Sequence, residues 1–354
     1  MSTRPSKIDW VCRRYPCLLT TPKLPQKSHW AKKLFFDKRL SADGNVSCAN
    51  CHDTNQAFTD GLPVAAGIRK QRGTRNTPTL INAAFATTQF WDGRRASLEE
   101  QAHDPFVNAV EHGLPNHPSV ADLVKRDPDY TQQFKNVFAV RSAAISIHHV
   151  AQALASYERT LIAGDSAFDR YEYGADKNAL SIPAQRGLDI FRNQAGCAAC
   201  HTIEKSYALF TDHKFHSAGV GMHRIQARLA EITTRALKAK GERVTELQPT
   251  GRTATRSVDE TVLTDAEISE LGRFNVTSQP ADIGRFKTPT LRNIALTAPY
   301  MHDGSLKTLE EVVEVELYVR GNATHQPLIL TPTEKQDLIE FMKSLNSAMY
   351  NHLG

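Results

Sequence analysis

Two short cysteine–histidine motifs carry the clearest chemistry in this sequence. Residues 48–52 read CANCH and residues 197–201 read CAACH. In a C-x-x-C-H motif, two thiols one helical turn apart can both bond the vinyl groups on one edge of a porphyrin, while the adjacent imidazole faces the iron. Two such motifs predict two covalently bound haem c groups. The predicted attachment residues are Cys48, Cys51, His52, Cys197, Cys200 and His201.

The same thiols and histidines have a second reading as zinc ligands. Zinc binding would leave a repeated phrase downstream of each motif without explanation, so the haem reading is favoured. Cys12 and Cys17 lie outside both motifs. They are predicted either to form a small disulfide or to belong to an irregular terminus.

A phrase that occurs twice links the two motifs. Residues 77–100 read TPTLINAAFATTQFWDGRRASLEE, and residues 288–311 read TPTLRNIALTAPYMHDGSLKTLEE. Turn chemistry explains the residue types, because Thr-Pro extends the chain, Asp-Gly turns it, and Ser97 or Thr308 can cap a helix. It does not explain why TPTL, DG and LEE fall at matching positions. The sequence therefore predicts an internal duplication.

The chain that positions these motifs is predicted to be mainly α-helical and to form two cytochrome c-like haem domains. Its 354 residues are 40% apolar and 23% charged, which suits two globular domains. The predicted divisions are a leader or disordered terminus over 1–29, an N-terminal domain over 30–172, and a C-terminal domain over 173–354 with an insertion at about 222–281. Helical periodicity is clearest in HWAKKLFFDKRL, SVADLVKRDPDYTQQFKNVF, SIHHVAQALASYERTLI, RIQARLAEITTRALKAKGERV and TPTEKQDLIEFMKSLNS.

Composition also excludes some functions. The formal net charge is +5 without a dense basic run, so nucleic-acid binding is not predicted. No apolar run is long enough to predict a membrane span. Residues 1–30 show no apolar signal-peptide core, although the cysteine motifs point to an extracytoplasmic protein.

The motifs together resemble those of bacterial dihaem cytochrome c peroxidases and their MauG-like relatives. The resemblance rests on both C-x-x-C-H motifs and on NTPTLINAAFATTQFWDGRRASLEEQA, VNAVEHG and FKTPTLRNIALTAPYMHDGSLKTLEEVV, and covers about residues 30–345. It implies a peroxide-reacting haem in the N-terminal domain and an electron-relaying haem in the C-terminal domain. It also implies a periplasmic location and allows a homodimer.

In the N-terminal domain the resemblance implies that Gln101 and Glu111 assist peroxide cleavage and that Pro105 lines their pocket. A carboxyl group in a partly dry haem pocket is expected to have a raised pKa, which suits proton shuttling. The alternative is that both are ordinary surface residues. Relatives that need prior reduction carry a distal histidine before TPTL. Residues 53–102 contain no His or Met, and the aligned position lies near Ile68, so this haem is predicted to be open to peroxide.

The resemblance also implies roles for residues between the two haems, for residues beside the C-terminal haem and for a calcium site. Trp91 matches a tryptophan that relays electrons between the haems, the alternative being an ordinary core aromatic. His302 is expected to form a hydrogen bond near the C-terminal haem. The sixth ligand of that haem is predicted to be Tyr318, with Glu316 or Met301 as alternatives. A calcium ion is implied at Asn76, Thr297 and Pro299, the alternative being ordinary turn residues.

These inferences predict an oxidoreductase of the cytochrome c peroxidase type. Electrons from a small cytochrome c or cupredoxin would pass through the C-terminal haem and reduce hydrogen peroxide at the N-terminal haem. A first alternative is a MauG-like enzyme that oxidises Trp or Tyr side chains of a partner protein. A second is a non-enzymatic dihaem electron carrier, which requires two six-coordinate irons.

Overall fold

The computed structural model describes residues 24–174, 176–241, 261–324 and 327–347, and within them it is mainly helical. The two short strands of these ranges, β1 (Phe215–His216) and β2 (Phe286–Lys287), pair antiparallel. The α-helices are α1 (Leu24–Phe35), α2 (Cys48–Cys51), α3 (Leu98–Gln101), α4 (Asp104–Val107), α5 (His117–Lys125), α6 (Pro128–Phe138), α7 (Ile147–Glu158), α8 (Ala167–Glu172), α9 (Ile182–Arg192), α10 (Met222–Ile225), α11 (Leu229–Ala239), α12 (Ala266–Ser269), α13 (Phe274–Thr277), α14 (Leu309–Thr324) and α15 (Pro332–Lys343).

The N-terminal half is built on the packing of α1 against α7. The fully buried residues Leu34 and Phe35 of α1 meet Val150, Ala151 and Leu154 of α7 in one core. With Ala31 of α1 included, the buried residues of each helix recur three and four residues apart, which puts each set on one helix face. This pair of helices supports the CANCH turn of α2.

The first helix begins earlier than the sequence predicts. It starts at Leu24, inside the predicted leader 1–29. Pro25 is tolerated there because backbone N–H groups in the first turn of a helix have no hydrogen-bond partner within the helix, and proline lacks this N–H. Cys12 and Cys17 lie outside the described residues, and so does most of the predicted leader.

The C-terminal half is built on α9 and α15, which approach each other closely at Gly187. A Cβ atom at Gly187 would lie 1.9 Å from the carbonyl oxygen of Asp337. Thr331 is the N-cap of α15: its hydroxyl accepts from the Glu334 backbone N–H, and the Glu334 carboxylate accepts from the Thr331 backbone N–H. The apolar face of α15 closes the core beneath the CAACH motif.

The predicted insertion forms a small core of its own. Residues of α10 to α13 bury a cluster made of Ile225, Ile232, Ala236, Ile268, Leu271 and Phe274. This segment also contacts the N-terminal half, since Thr74 Oγ1 donates to the Val262 carbonyl at 2.5 Å and Arg75 Nη2 donates to the Ser269 carbonyl at 2.6 Å. Residues 242–260 of the insertion lie outside the described ranges.

The repeated phrases adopt the same local conformation. The Thr79 hydroxyl donates to a carbonyl of the preceding loop at 2.6 Å, and Thr290 makes the equivalent bond at 2.7 Å. Asn82 and Asn293 are both left-handed, with φ of 63° and 59°. Shared geometry fits the predicted duplication, whose common origin stays a prediction. Among the described helices, none combines the length and apolar character needed to cross a bilayer.

Candidate active site

Both C-x-x-C-H motifs open onto one continuous cavity of about 600 Å³. Its wall also includes residues of both repeated phrases and of α3, α7 and α14. The motif residues in this wall are Cys48, Cys51, His52, Cys197, Cys200 and His201. One cavity that spans both halves can therefore hold two large cofactors beside each other.

Each motif histidine is held in the orientation that an iron ligand requires. His52 Nδ1 lies 3.0 Å from the Phe58 carbonyl oxygen, and His201 Nδ1 lies 2.9 Å from that of Phe210. A carbonyl that accepts the Nδ1–H proton leaves Nε2 as the metal-binding nitrogen. Burial lowers the pKa of both imidazoles, that of His201 to about 4, so the neutral ligand form is favoured.

The motif cysteines form no disulfide bond with one another. Burial raises the pKa of Cys51 to about 12 and that of Cys197 to about 11. Within the described ranges, the groups of His, Cys, Asp and Glu side chains close enough for a shared metal are Cys200–Asp212–His216 and Glu270–His302–Asp303. Neither group combines two cysteines, so the geometry does not support the zinc reading.

Gln101 and Glu111 reach the same cavity as the CANCH motif. Gln101 is the last residue of α3, and Glu111 lies in the loop after α4. The charge of Glu111 contributes to the raised pKa of both Cys48 and Cys51, which places its carboxylate near the motif. Its carbonyl accepts from the Ile68 N–H at 2.9 Å, which fixes the loop. The structure thus brings together the residues predicted to assist peroxide cleavage; Pro105 lines the same wall.

The cavity wall beside Glu111 includes Gly67 rather than Ile68. Ile68 is buried, and its side chain packs toward Gly113. Gly67 lines the cavity instead, and a Cβ there would lie 1.9 Å from the Val110 carbonyl oxygen. Glycine is required by this close approach of two chain segments.

His112 is a cavity residue that the sequence reading missed. It is 4% exposed, and its Nδ1 lies 2.8 Å from the Leu40 carbonyl oxygen, an arrangement shared with the motif histidines. Burial lowers its pKa. Its neighbour Glu111 was singled out by the matched motif, whereas a lone histidine in a loop carries no local signal.

Trp91 lies where the two halves meet. Its indole N–H donates to the Asn76 carbonyl at 2.9 Å, and its own carbonyl accepts from the Lys287 N–H at 2.8 Å. The side chain is half-buried and lines the shared cavity. Lys287 also donates through Nζ to the Thr88 carbonyl, and burial lowers its pKa to about 8. Trp91 therefore joins strand β2 to the N-terminal half.

The residues predicted for calcium also line this cavity. Asn76, Thr297 and Pro299 belong to its wall, and Asn76 Nδ2 donates to the Leu62 carbonyl at 2.9 Å. That bond orients the amide, whose oxygen is the type of ligand that calcium prefers. The structure brings the three predicted residues to one cavity, and calcium itself stays a prediction.

Helix α14 places Tyr318 and Glu316 on opposite faces. Leu309, Val313 and Leu317 mark its buried face, and Glu316 lines the cavity beside them. Tyr318 is 72% exposed and does not reach the cavity wall. Two residues along a helix correspond to a rotation of about 200°. This placement favours Glu316, the alternative that faces the cavity, over the preferred assignment of Tyr318, and the identity of the sixth ligand stays a prediction.

Glu316 is a half-buried acid near Arg320 and the CAACH motif. Burial raises its pKa, and the charge of Arg320 opposes that shift. Arg320 Nε lies 3.8 Å from Glu316 Oε2, and Arg320 Nη1 donates to the Gly196 carbonyl at 2.9 Å. Met301 also lines the cavity. A carboxylate and a thioether are thus both present on this wall.

His302 is hydrogen-bonded, as the sequence predicts. Its Nε2 lies 2.8 Å from Glu270 Oε2, and its ring stacks on Phe286 with centroids 3.7 Å apart. Arg224 offsets part of the negative charge of this cluster by pairing with both Glu270 and Asp303. Glu270 comes from the insertion, and only the fold shows that it reaches His302.

Buried cations give a direct test of whether haem fits this cavity. Its wall includes Arg75, Arg94, Lys287 and Arg320. Arg75 is 7% exposed, and its Nη1 has no hydrogen-bond partner among the described residues. Burial lowers its pKa to about 10, so an additional anion would stabilise it. A haem propionate is such an anion, and the residues present therefore fit the cofactor.

Fold and site together define a mainly helical protein with two C-x-x-C-H haem-attachment sites on one cavity. The sequence model for "Di-haem cytochrome c peroxidase" matches residues 25–177. The methylamine utilization protein MauG of Methylorubrum extorquens is 34% identical, over 92% of this chain and 80% of that protein. Cytochrome c551 peroxidase of Pseudomonas aeruginosa is 33% identical, over 92% of this chain and 80% of that protein. The chain belongs to the di-haem cytochrome c peroxidase and MauG family.

Solved structures agree with this assignment. A MauG-like protein associated with microbial copper homeostasis has a TM-score of 0.70 and 29% identity, covering 92% of this chain and 90% of that chain. The diheme peroxidase BthA of Burkholderia thailandensis has a TM-score of 0.67 at 20% identity, covering 93% and 87%, which is a likeness of fold. The predicted family and its oxidoreductase class, of cytochrome c peroxidase type, are confirmed by these relatives.

Proposed function

We propose that this protein is a dihaem c-type peroxidase that reduces hydrogen peroxide beside His52. Electrons would come from a small cytochrome c or cupredoxin and pass through the C-terminal haem site. The observation that carries the proposal is the meeting of Gln101 and Glu111 with the CANCH motif in one cavity. When bound, the N-terminal haem supplies the iron that accepts peroxide, and the C-terminal haem supplies a second redox centre.

The side chains of the cavity perform the proton chemistry. Reduction of hydrogen peroxide to two molecules of water consumes two electrons and two protons. Glu111 would take a proton from the near oxygen and return it to the leaving oxygen, and the amide of Gln101 would hold the oxygens by hydrogen bonds. Trp91 would shorten the electron path between the halves, which it already bridges through Asn76 and Lys287.

The peroxidase proposal is tested with the holoprotein matured in a host that assembles cytochromes c. Two haems per chain are expected from the pyridine haemochrome spectrum. Glu111→Gln is expected to slow peroxide reduction by about 100-fold to 10,000-fold, the range of general acid–base catalysis. The matched control is Glu340→Gln, an exposed carboxylate paired with Lys343 on α15. Equal rates in both variants would refute the assigned role of Glu111.

We further propose that Glu316 is the sixth ligand of the C-terminal haem. It lies on the cavity face of α14, and Arg320 can balance the charge of a bound carboxylate. Glu316→Met replaces a weak-field ligand by a stronger-field ligand. The electron paramagnetic resonance signal of one iron is therefore expected to change from high-spin toward low-spin, and the reduction potential of that haem is expected to rise. Tyr318→Phe is the matched control on the exposed face. A spectrum that responds to Tyr318→Phe and not to Glu316→Met would restore the tyrosine assignment.

A MauG-like activity is the first alternative, favoured by the 34% identity to a protein of that name. It would use the same site to oxidise Trp or Tyr side chains of a partner protein. Peroxide consumption that depends on an added protein, with no turnover of a small cytochrome or copper donor, would identify it.

A dihaem electron carrier is the second alternative, and His112 is the observation that favours it. Its ring is held like those of the motif histidines, so Nε2 is left available within the cavity wall. A carrier would show a low-spin N-terminal iron that becomes high-spin in His112→Gln. A peroxidase would show a high-spin N-terminal iron in the unmodified protein.

We also propose that a calcium ion is bound at Asn76, Thr297 and Pro299. We further propose that the protein is periplasmic and that it can form a homodimer. The support for calcium is that the three residues line one cavity at the junction of the halves. Removal of calcium with a chelator is expected to weaken peroxide turnover, and addition of calcium to restore it.

A further inference from the structure

Glu158 is a buried acid that the proposed chemistry leaves unused. It is the last residue of α7, is 5% exposed, and lines the cavity. Its Oε2 atom has no hydrogen-bond partner within the described residues. A buried carboxyl oxygen without a partner is costly, so its retention in a cavity wall calls for a functional or ligand-based explanation.

The fold packs the helix of Glu158 against the helix of Gln101, and both residues line the cavity. Gln101 lies on α3, and α3 packs against α7. The two helices are joined by a two-point ion pair, in which Arg159 Nη1 and Nη2 lie 2.6 Å and 3.0 Å from the carboxylate oxygens of Glu99. Because the pair fixes one helix against the other, Gln101 and Glu158 line the cavity from adjoining elements.

The two thiols of the CANCH motif also indicate where Glu158 lies. The raised pKa of the Cys48 thiol has contributions from the charges of both Glu158 and Glu111. Cys51, in contrast, is affected by Glu111 and Asp60. Glu158 therefore lies on the Cys48 side of the motif, and Glu111 lies within range of both thiols.

The electrostatic surroundings of Glu158 favour its neutral form. Burial raises its pKa to about 8, the charge of Arg159 opposes this, and the charge of Glu99 adds to it. The ionisable groups around it are Tyr157 on its own helix, Arg159 immediately after that helix, Glu99 on α3 and Cys48 on α2. At neutral pH the side chain carries a proton that it can release.

We propose that Glu158 is an internal proton donor to the N-terminal cavity, distinct from the acid–base residue Glu111. The inference rests on the proposed peroxidase function, whose reaction takes up two protons for every peroxide reduced. Glu111 transfers a proton between the two oxygens and returns to its starting state, so it supplies no net proton. Glu158 would supply one of the two protons by giving up the O–H proton of its carboxylic acid and becoming a carboxylate, and the second proton would enter from solvent. Glu158 would then regain a proton from solvent before the next turnover.

The first test measures protonation without turnover. In the holoprotein, infrared difference spectra between pH 6 and pH 10 are expected to show a carbonyl band of a protonated carboxylic acid. The band should disappear with a midpoint near pH 8, the pKa of Glu158. Glu158→Gln should lack it, and the exposed control Glu340→Gln should retain it. A band that persists in Glu158→Gln would overturn the proposal, and so would the absence of a band in the unmodified protein.

The second test measures delivery of the proton. In stopped-flow mixing of the fully reduced holoprotein with peroxide, two electrons stored in the protein reduce one peroxide with uptake of two protons. The rate of this single turnover in the unmodified protein should fall as pH rises through about 8. Glu158→Gln should be slower by at least about tenfold and should lack that decline. An unchanged rate and pH profile in Glu158→Gln would reduce the residue to a structural role.

The two tests separate this inference from the proposed function. If the unmodified protein does not react with peroxide, the peroxidase proposal fails while the infrared band still reports the protonation of Glu158. If peroxide is reduced normally in Glu158→Gln, the proton-donor role fails while the peroxidase proposal stands. Thermal unfolding of Glu158→Gln checks that the variant is folded.

Discussion

At the scale of single residues, the orientation of His201 depends on a buried ion pair behind it. Arg292 and Asp169 are each buried, with Arg292 Nη2 2.7 Å from Asp169 Oδ1. Arg292 Nε also donates to the Ala208 carbonyl at 2.8 Å. Ala208 precedes the residues whose backbone reaches His201 at Phe210, so the guanidinium fixes the loop that orients the proximal histidine.

Breaking this pair is expected to destabilise the protein strongly. Arg292→Met leaves the Asp169 carboxylate buried without its partner, and such a loss costs about 3–5 kcal/mol. Urea unfolding followed by tryptophan fluorescence would measure the free energy of unfolding. The control is Lys343→Met, which removes the exposed pair with Glu340 and is expected to cost less than about 1 kcal/mol. Similar losses in both variants would contradict the structural account.

At the scale of elements, the contact between α9 and α15 determines how the CAACH motif is supported. The closest approach is at Gly187, where the backbone of Asp337 leaves no room for a side chain. Arg186 strengthens the same contact, because its Nε and Nη2 donate to the Asp337 carboxylate at 2.6 Å and 2.7 Å. Close helix packing and a charged pair thus occur at neighbouring residues.

Gly187→Ala is expected to push the two helices apart. Overpacking of a close contact costs about 1–3 kcal/mol, and the displaced atoms here belong to backbone, which cannot rotate away. The midpoint of thermal unfolding should fall. Gly73→Ala is the control, because its added Cβ would lie 3.9 Å from the nearest atom, an ordinary contact. A larger effect at Gly73 than at Gly187 would contradict the observed packing.

At the scale of the whole molecule, the two halves are joined by contacts that pass beside Trp91. Arg273, at the start of α13, donates through Nη1 to the carbonyls of Asp92 and Gly93, each at 2.9 Å. Its guanidinium also lies 4.4 Å from the centroid of the Phe215 ring. The insertion therefore helps to set the distance between the two haem sites, although it contributes no motif cysteine.

Arg273→Ala is expected to loosen this junction. A hydrogen bond from a charged donor contributes about 1.5–3 kcal/mol, so the free energy of unfolding should fall by about 2 kcal/mol. Electron equilibration between the haems, followed after flash reduction, should slow as the junction becomes less fixed. Arg170→Ala is the control, since it removes an exposed Arg-to-carbonyl bond of 2.8 Å within one segment. Unchanged electron equilibration in Arg273→Ala would show that the junction does not depend on this contact.

Local sequence determined much of this protein. The C-x-x-C-H spacing acts within one turn of chain, so the attachment residues could be assigned without a structure. The cap of α15 at Thr331 and the left-handed turns at Asn82 and Asn293 in the two phrases are likewise set by neighbouring residues. Gln101 and Glu111 were found because they belong to a matched motif, and the fold then placed both in one cavity.

Tertiary structure decided which face of a helix is turned toward the cavity and which residues distant in sequence come into contact. Glu316 and Tyr318 differ by two positions, and only the docking of α14 showed which of them faces the cavity. Glu270 reaches His302 from the insertion, and Glu158 reaches the cavity from the end of α7. Periodicity specifies that a helix forms, but its burial against other elements decides which side chains are desolvated, and desolvation gives Glu158 its unusual pKa.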